Sequence, residues 1–527
     1  MKRIFNTLFL LSLIALSSCS EFLGDNVDPN RATSATPELV LPNALTRTAS
    51  LTRSFNTSAG WIVGYTANAG GYGGWGSTVT YNFTTGSYAG TWESTYDDLN
   101  NYQYIEESTA DFPELGYYNA VAKVMKVYDF QMLVDVFGDL PYTEGLQGSA
   151  NVTPGYDDQV SIYQDFVAQL DAAIDVFANS TVAQPMGNGD VMFGGDVDEW
   201  AKFANTLKLR VLIRLASSDE GNSFATSALA SIDTGIGFLE EDAMVNPGYI
   251  ASSGKQNPYW ETYHTNASGS LSGSGRSAIP STYVYSFYNG NKILDQGRGA
   301  AVYREFPTGT PRGQLGNLTD NPAALSNQTS WYVGEGTGVN ASNTIGLLKS
   351  RTAGVPMMLA AESYLLQAEA YMKGYISGDD AAAFEEGVIA SYRYLYKEAS
   401  GEVRAGMDPV ADFETYKADN PDNYLVVYDL AATDEERLEA IITQKYIALN
   451  FIHGQEAWAE FRRTAYPAIV NGSSVASETF ASILSTSTRA DKLPVRFLYP
   501  DTEFQLNPNN VPTGMDQFVN TIFWQGQ

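Results

Sequence analysis

The sequence predicts a mainly α protein, built from paired amphipathic helices and interrupted by a long irregular region. Apolar residues recur at helical spacing in separate, paired segments towards both ends of the chain. Between them, residues 219–350 are rich in Gly, Ser, Asn and Pro, with short β-like runs such as Thr282–Tyr288. Hydrophobic residues make up 44% of the 527, enough for a sizeable core, and a single cysteine rules out an intrachain disulfide framework.

The chain opens with Lys2 and Arg3, followed by an apolar run from Ile4 to Leu16 broken only by Asn6, Thr7 and Ser12. A positive start, a short apolar segment and small residues before a cut describe a secretory signal peptide. The run is shorter than the roughly 20 residues a membrane span needs. Its end, Leu16-Ser17-Ser18-Cys19, resembles a bacterial lipobox. On that resemblance residues 1–18 are removed, the Cys19 thiol is acylated, and two or more acyl chains hold the protein on a membrane. Residues 20–37 are polar, with Asp28-Pro29 and Thr36-Pro37 as breakers, so 19–37 reads as the lipidated cysteine and a flexible tether.

A first helix is expected from Glu38 to Arg53. The stretch from Ala59 to Tyr88 follows, where seven glycines between Gly60 and Gly76 argue against a helix. Two helix pairs come next, Trp92–Glu107 with Tyr117–Phe137, and Ser161–Ala178 with Glu199–Ala216, each with apolar residues on one face. Beyond the irregular region, helices are expected at Pro356–Lys373 and Ala381–Glu398. A last pair starts at Thr433, which has capping-box spacing to Glu436, and ends with Glu456–Arg463. The tail after Val470 is polar and loop-like. Stacked helical hairpins of the tetratricopeptide type fit this order, although no fixed repeat period aligns the pairs.

With 31 basic and 60 acidic residues, the net charge is −29. That balance argues against nucleic acid and against an anionic membrane surface as partners. Enzyme signals are thin. The two histidines, His264 and His453, lie in no metal-ligand pattern, and there is no nucleophile elbow or phosphate-binding glycine motif. No cofactor is indicated. Ca²⁺ is conceivable among so many carboxylates, yet no EF-hand loop is present. Glu362 and Glu369 lie two helical turns apart and share a face, and Arg462 and Arg463 close a helix; both fit ion pairing within the fold.

Aromatic rings in the irregular segments carry the binding hypothesis. Trp61, Tyr65, Tyr72, Trp75 and Tyr81 sit in or beside the glycine-rich stretch, Trp260 and Tyr263 form a second group, and Trp331 a third. A pyranose ring can lie on an indole face while neighbouring polar groups take its hydroxyls, and a peptide can use the same rings. Trp75, flanked by Gly73, Gly74 and Gly76, is best placed to meet a ligand.

Several segments together resemble the SusD-like (SusD/RagB) outer-membrane lipoproteins, in particular the subgroup with an N-terminal DPN element. Here that element is Asp28-Pro29-Asn30, with TPELVLPNAL following at 36–45. The others are VDVFGDLPYTE at 134–144, ESYLLQAEAYMKG at 362–374, IITQKYIALNFIHGQEAWAEFRRTAYP at 441–467, and LPVRFLYPDTEFQLNPNN at 493–510. One departure is Asp295-Gln296-Gly297-Arg298, where the resemblance leads one to expect Asp-Pro-Arg. The resemblance implies a single domain over 38–527, with about four tetratricopeptide-like helix pairs in a right-handed superhelical scaffold and a loop-rich insertion at about 219–350 bearing the ligand site. It also implies no enzymatic activity and lipid anchorage on the outer face of an outer membrane. The role it implies is capture of an oligosaccharide and its delivery, as a lid, to a SusC-like TonB-dependent transporter. A peptide ligand, a surface hydrolase and an adhesin remain open alternatives.

Overall fold

The computed structural model describes residues 35–324, 330–333 and 345–526. The signal peptide, Cys19, Asp28-Pro29-Asn30 and most of the tether lie outside them. Ten helices among the described residues are longer than ten residues. They are α1 Pro37–Ile62, α2 Ala89–Thr109, α3 Gly116–Phe137, α4 Gln159–Asn179, α5 Val197–Ala216, α6 Ala360–Met372, α7 Asp380–Tyr396, α8 Pro409–Asp419, α9 Asp434–Ala448 and α10 Gly454–Thr464. Two short antiparallel ladders tie the irregular region to the helices. β1 (Thr66–Asn68) pairs with β3 (Ala278–Pro280), and β2 (Ala243–Val245) with β4 (Val355–Met358).

Side-chain caps set several helix starts. Asp158 accepts from the Val160 and Ser161 amides and Asp196 from those of Asp198 and Glu199, while Thr433 and Glu436 form a complete capping box. The pairs α2–α3, α4–α5 and α6–α7 pack as successive hairpins, and α3 also lies on α4. α9 and α10 barely touch. α9 packs on α6, and α10 on α1. The scaffold is mainly helical and tetratricopeptide-like, as predicted. Its centre is α3, buried on almost every face from Val124 to Phe137.

Four local expectations are corrected. α1 runs nine residues past Arg53 because Phe55, Asn56, Ala59, Gly60 and Ile62 remain buried. Gly60 is tolerated because its backbone meets that of Gly454, where a Cβ would lie 2.8 Å from the Gly60 nitrogen. Residues 355–358 form β4 rather than the start of α6, since pairing with β2 satisfies them and Leu359 becomes the N-cap. The Thr282–Tyr288 run starts as a turn of helix, Thr282–Tyr285, capped by Ser281 on the Val284 amide. α8 and the short helix Asp501–Leu506 stand in segments with no apolar stripe long enough to announce them.

A buried ionic network joins the pairs. Arg214 of α5 donates to Asp135 of α3 and to Glu456 of α10, both at 2.5 Å. Arg210 lies 3.3 Å from Glu362 of α6 and donates to Gln131. Lys445 of α9 reaches Glu460 at 3.1 Å and Glu362 at 3.5 Å. Arg463 grips Glu369 with both terminal nitrogens, at 2.6 and 2.7 Å. The structural role expected of Glu362, Glu369 and Arg463 is thus realised. Arg462 takes no carboxylate among the described residues; it lies over Trp458 and donates to the Val495 carbonyl. Burial pushes the Glu456 carboxyl up, but Arg210, Arg214 and Lys445 outweigh it and hold it at about 2. In a second cluster the compensation is too weak, since only the half-exposed Arg47 stands beside Asp98. Asp98 and Asp129 share the Thr48 hydroxyl at 3.0 and 3.3 Å, and burial pushes Asp98 up to about 7.

Replacing one member of the network leaves its partners charged and uncompensated in the interior. Glu456→Gln should therefore cost about 3–5 kcal/mol in urea unfolding at pH 7. Because the folded pKa of Glu456 is depressed, its contribution is present above about pH 4.3 and is lost as pH falls towards 2; the variant should lose that acid-limb dependence. Asp98 acts in the opposite sense. Its folded pKa is raised, so its protonated form is favoured in the fold, and stability falls as pH rises from about 4 to about 7. Asp98→Asn should flatten that fall, gaining on the wild type at pH 8 relative to pH 5.

Candidate functional site

The last turn of α1 points Trp61 towards the glycine-rich loop. Gly64 (φ +72°) turns the chain out of the helix, and the Phe480 side chain occupies the space a Cβ would need there. The loop is then fixed at both ends. On one side β1 pairs with β3, and Gly70 exchanges backbone hydrogen bonds with Pro322 and Ala324 at 2.7 and 3.0 Å. The Asn68 and Asn321 side chains lock the same strip to the Gln314–Gly316 backbone. On the other side, Ser482 donates to the Val79 carbonyl at 2.5 Å, and its amide to the Tyr81 hydroxyl at 3.2 Å. The Thr486 amide donates to the Thr80 carbonyl at 2.9 Å.

Residues 71–76 project between these anchors. Trp75 packs edge-on against Trp61, with ring centroids 5.3 Å apart and planes at 60°, and its indole N–H donates to the Tyr72 carbonyl at 3.0 Å. Tyr72 is 37% exposed, Trp61 and Trp75 are half-buried, and no atom lies within 4 Å of a Cβ built on Gly73, Gly74 or Gly76. Two indoles held at a fixed angle beside an open, glycine-lined space form a preset platform for a flat apolar face.

The other five candidate rings are buried, and in this structure they hold the loops down. Tyr65 packs at a tilt against Tyr446, with ring centroids 4.7 Å apart, and donates to its carbonyl at 2.7 Å. Tyr81 is fully buried beneath the Ser482 segment. Trp260 stacks on His264 at 3.8 Å and donates to Thr265. Tyr263 shares a 2.6 Å hydrogen bond with Thr57, and Trp331 is 8% exposed. Large rings gain most by burial, and their hydroxyls find backbone carbonyls there. Sequence alone does not distinguish a ring that pins a loop from one the loop presents.

Neither histidine faces the surface. His264 is enclosed, and burial with Arg304 and Arg351 nearby lowers it to about 3. His453 sits against the Pro356 carbonyl at 3.0 Å. Among the described residues, no three His, Cys, Asp or Glu side chains are grouped to hold a metal ion, and no helix is long and apolar enough to cross a membrane.

One feature escapes the sequence reading. A cavity of about 550 Å³ lies between α1 and the start of α2, lined by Arg47, Ser50, Arg53 and Ser54 on one side and Ser87, Tyr88, Gly90, Thr91 and Ser94 on the other. The spacing of Arg47, Ser50, Ser54 and Trp61 could have revealed it, had α1 been carried past Arg53.

Together these features describe a tetratricopeptide-like helical scaffold with a small aromatic platform on an anchored loop. The chain belongs to the SusD-like family: the family model described as "Starch-binding associating with outer membrane" matches residues 29–500. Solved SusD homologues share the fold. One from Bacteroides uniformis is 23% identical with a TM-score of 0.66, covering 93% of this chain and 99% of its own. One from Parabacteroides distasonis is 21% identical at a TM-score of 0.69, covering 93% and 98%. A chitin-binding SusD homologue from Flavobacterium johnsoniae is 20% identical at 0.66, covering 92% and 98%. No curated protein matches the sequence.

The contrast between presented and pinning rings is measurable. Trp75→Ala should cost no more than about 1.5 kcal/mol in urea unfolding, the size of the aromatic contact with Trp61 that it removes. Trp260→Ala, at 1% exposure, should cost about 3–5 kcal/mol.

Proposed function

We propose that this protein is a surface lipoprotein, anchored through Cys19, that captures an oligosaccharide and passes it as a lid to a SusC-like TonB-dependent transporter. The observation that carries the binding step is the Trp61–Trp75 pair, which stays partly exposed between the end of α1 and a loop anchored at both ends while most neighbouring rings are buried. Family membership supports the glycan class and the outer-membrane setting, and the homologue from F. johnsoniae, a chitin-binding protein of related fold, supports a glycan ligand. Capture needs no chemistry: the sugar face stacks on the indoles, with Tyr72 beside them, and neighbouring amides and hydroxyls take its hydroxyl groups.

Calorimetry on the chain lacking residues 1–19, against neutral and acidic oligosaccharides and peptides, tests this. Saturable binding of an oligosaccharide that is recovered intact is expected, with Trp75→Ala weakening it about tenfold or more, or 1.4 kcal/mol. Saturation by peptides alone would move the ligand to that class, and turnover of the ligand would replace capture by hydrolysis. For the anchor, metabolic labelling with radioactive palmitate should mark the wild-type protein and not Cys19→Ser. For the partner, a TonB-dependent barrel should co-purify from detergent-solubilised membranes.

A further inference from the structure

We propose that the cleft between α1 and the start of α2 extends the ligand site and takes the anionic group of an acidic glycan, a uronate carboxylate or a sulfate ester. This rests on the glycan reading above and adds to it the charge of the ligand. The partly exposed face of α1 is a single stripe, running through Arg47, Ser50, Arg53, Ser54 and Ser58 to Trp61. Ser50, Ser54 and Ser58 each donate to the carbonyl four residues back, at 3.2 Å. Their hydroxyl hydrogens are thereby used within the helix, and their lone pairs are left to accept from ligand hydroxyls. The cationic donors of the cleft are the two guanidiniums.

Among the described residues no carboxylate lines this cavity, although the chain carries 60 acidic residues against 31 basic ones. Arg47 shares its charge with Asp98 at 3.4 Å and Asp97 at 3.8 Å, just outside the lining. Arg53 has no carboxylate within 4 Å among the described residues, and its Nε is enclosed without a hydrogen-bond partner. A guanidinium in this state offers paired N–H groups in the fork geometry that carboxylate and sulfate oxygens match. The chain's overall negative charge does not forbid this, because exposed acids more than about 8 Å away are largely screened at physiological ionic strength. From Ser54 to Trp61 the helix rises about 10 Å, so one oligosaccharide can lie on the indoles and place an acidic residue against Arg53.

The test uses the mature lipoprotein in detergent micelles and three probe series: neutral chito- and xylo-oligosaccharides, oligogalacturonides, and sulfated κ-carrageenan oligosaccharides. One acidic series should bind at least tenfold more tightly than the neutral ones in 50 mM salt, and the advantage should shrink in 500 mM salt. Which acidic series wins identifies carboxylate or sulfate as the anion. Arg53→Gln should bring the acidic-to-neutral affinity ratio close to one, Arg53→Lys should restore part of it, and Ser54→Phe, which fills the cleft without changing charge, should abolish it. Neutral and acidic series bound equally, or a preference that survives Arg53→Gln, would overturn the inference and leave glycan capture standing. Binding to none of the three would overturn both.

Discussion

The rest of the fold depends on the buried charge network. Asp135 of α3, Arg210 and Arg214 of α5, Glu362 and Glu369 of α6, Lys445 of α9, and Glu456, Glu460 and Arg463 of α10 come from helices spread over more than 300 residues of chain. Each charge is expensive to bury alone, and the cost is offset only when its partners arrive with the right geometry. A shift of one helix by a turn would leave several charges uncompensated at once. The network therefore sets helix register more sharply than apolar packing can, because apolar side chains tolerate sliding and repacking.

That register reaches the surface site through α1. α10 carries three members of the network's ion pairs, and its first residue, Gly454, lies against Gly60. Gly454 lets the helices approach backbone to backbone, so the end of α1 is held where α10 is held. Trp61 leaves from that end, and the loop bearing Trp75 is tied down by strands and side chains on both flanks. A loop that must present a ring needs freedom at its tip and none at its base. Gly71, Gly74 and Gly76, all at positive φ, provide the first, while Asn68, Asn321 and Ser482 provide the second.

Most of the scaffold was legible because its signals are local. The 3.6-residue period placed the major paired helices, the capping box at Thr433 and Glu436 placed the start of α9, and seven glycines marked the loop. Expectations failed where distant partners decide. Val355–Met358 is a strand because Ala243–Val245 lies beside it, and α1 continues through Gly60 because Gly454 covers it. The departure at Asp295–Arg298 shows the same dependence. Gly297 is needed because Tyr392 and Tyr396 crowd the position, while Arg298 lies between Tyr392 and Tyr416.

The sequence by itself determined the helical class, the family and a short list of rings that could meet a ligand, since periodicity, motif order and residue type are properties of the chain alone. Only the tertiary structure decided which rings do the presenting. Tyr65, Tyr81, Trp260, Tyr263 and Trp331 went to the interior, Trp61, Tyr72 and Trp75 remained accessible, and Arg53 was left facing a cleft without an acid beside it. The physical reason is that a side chain's burial and its charge partners depend on what segments hundreds of residues away bring to it, and no local spacing records that.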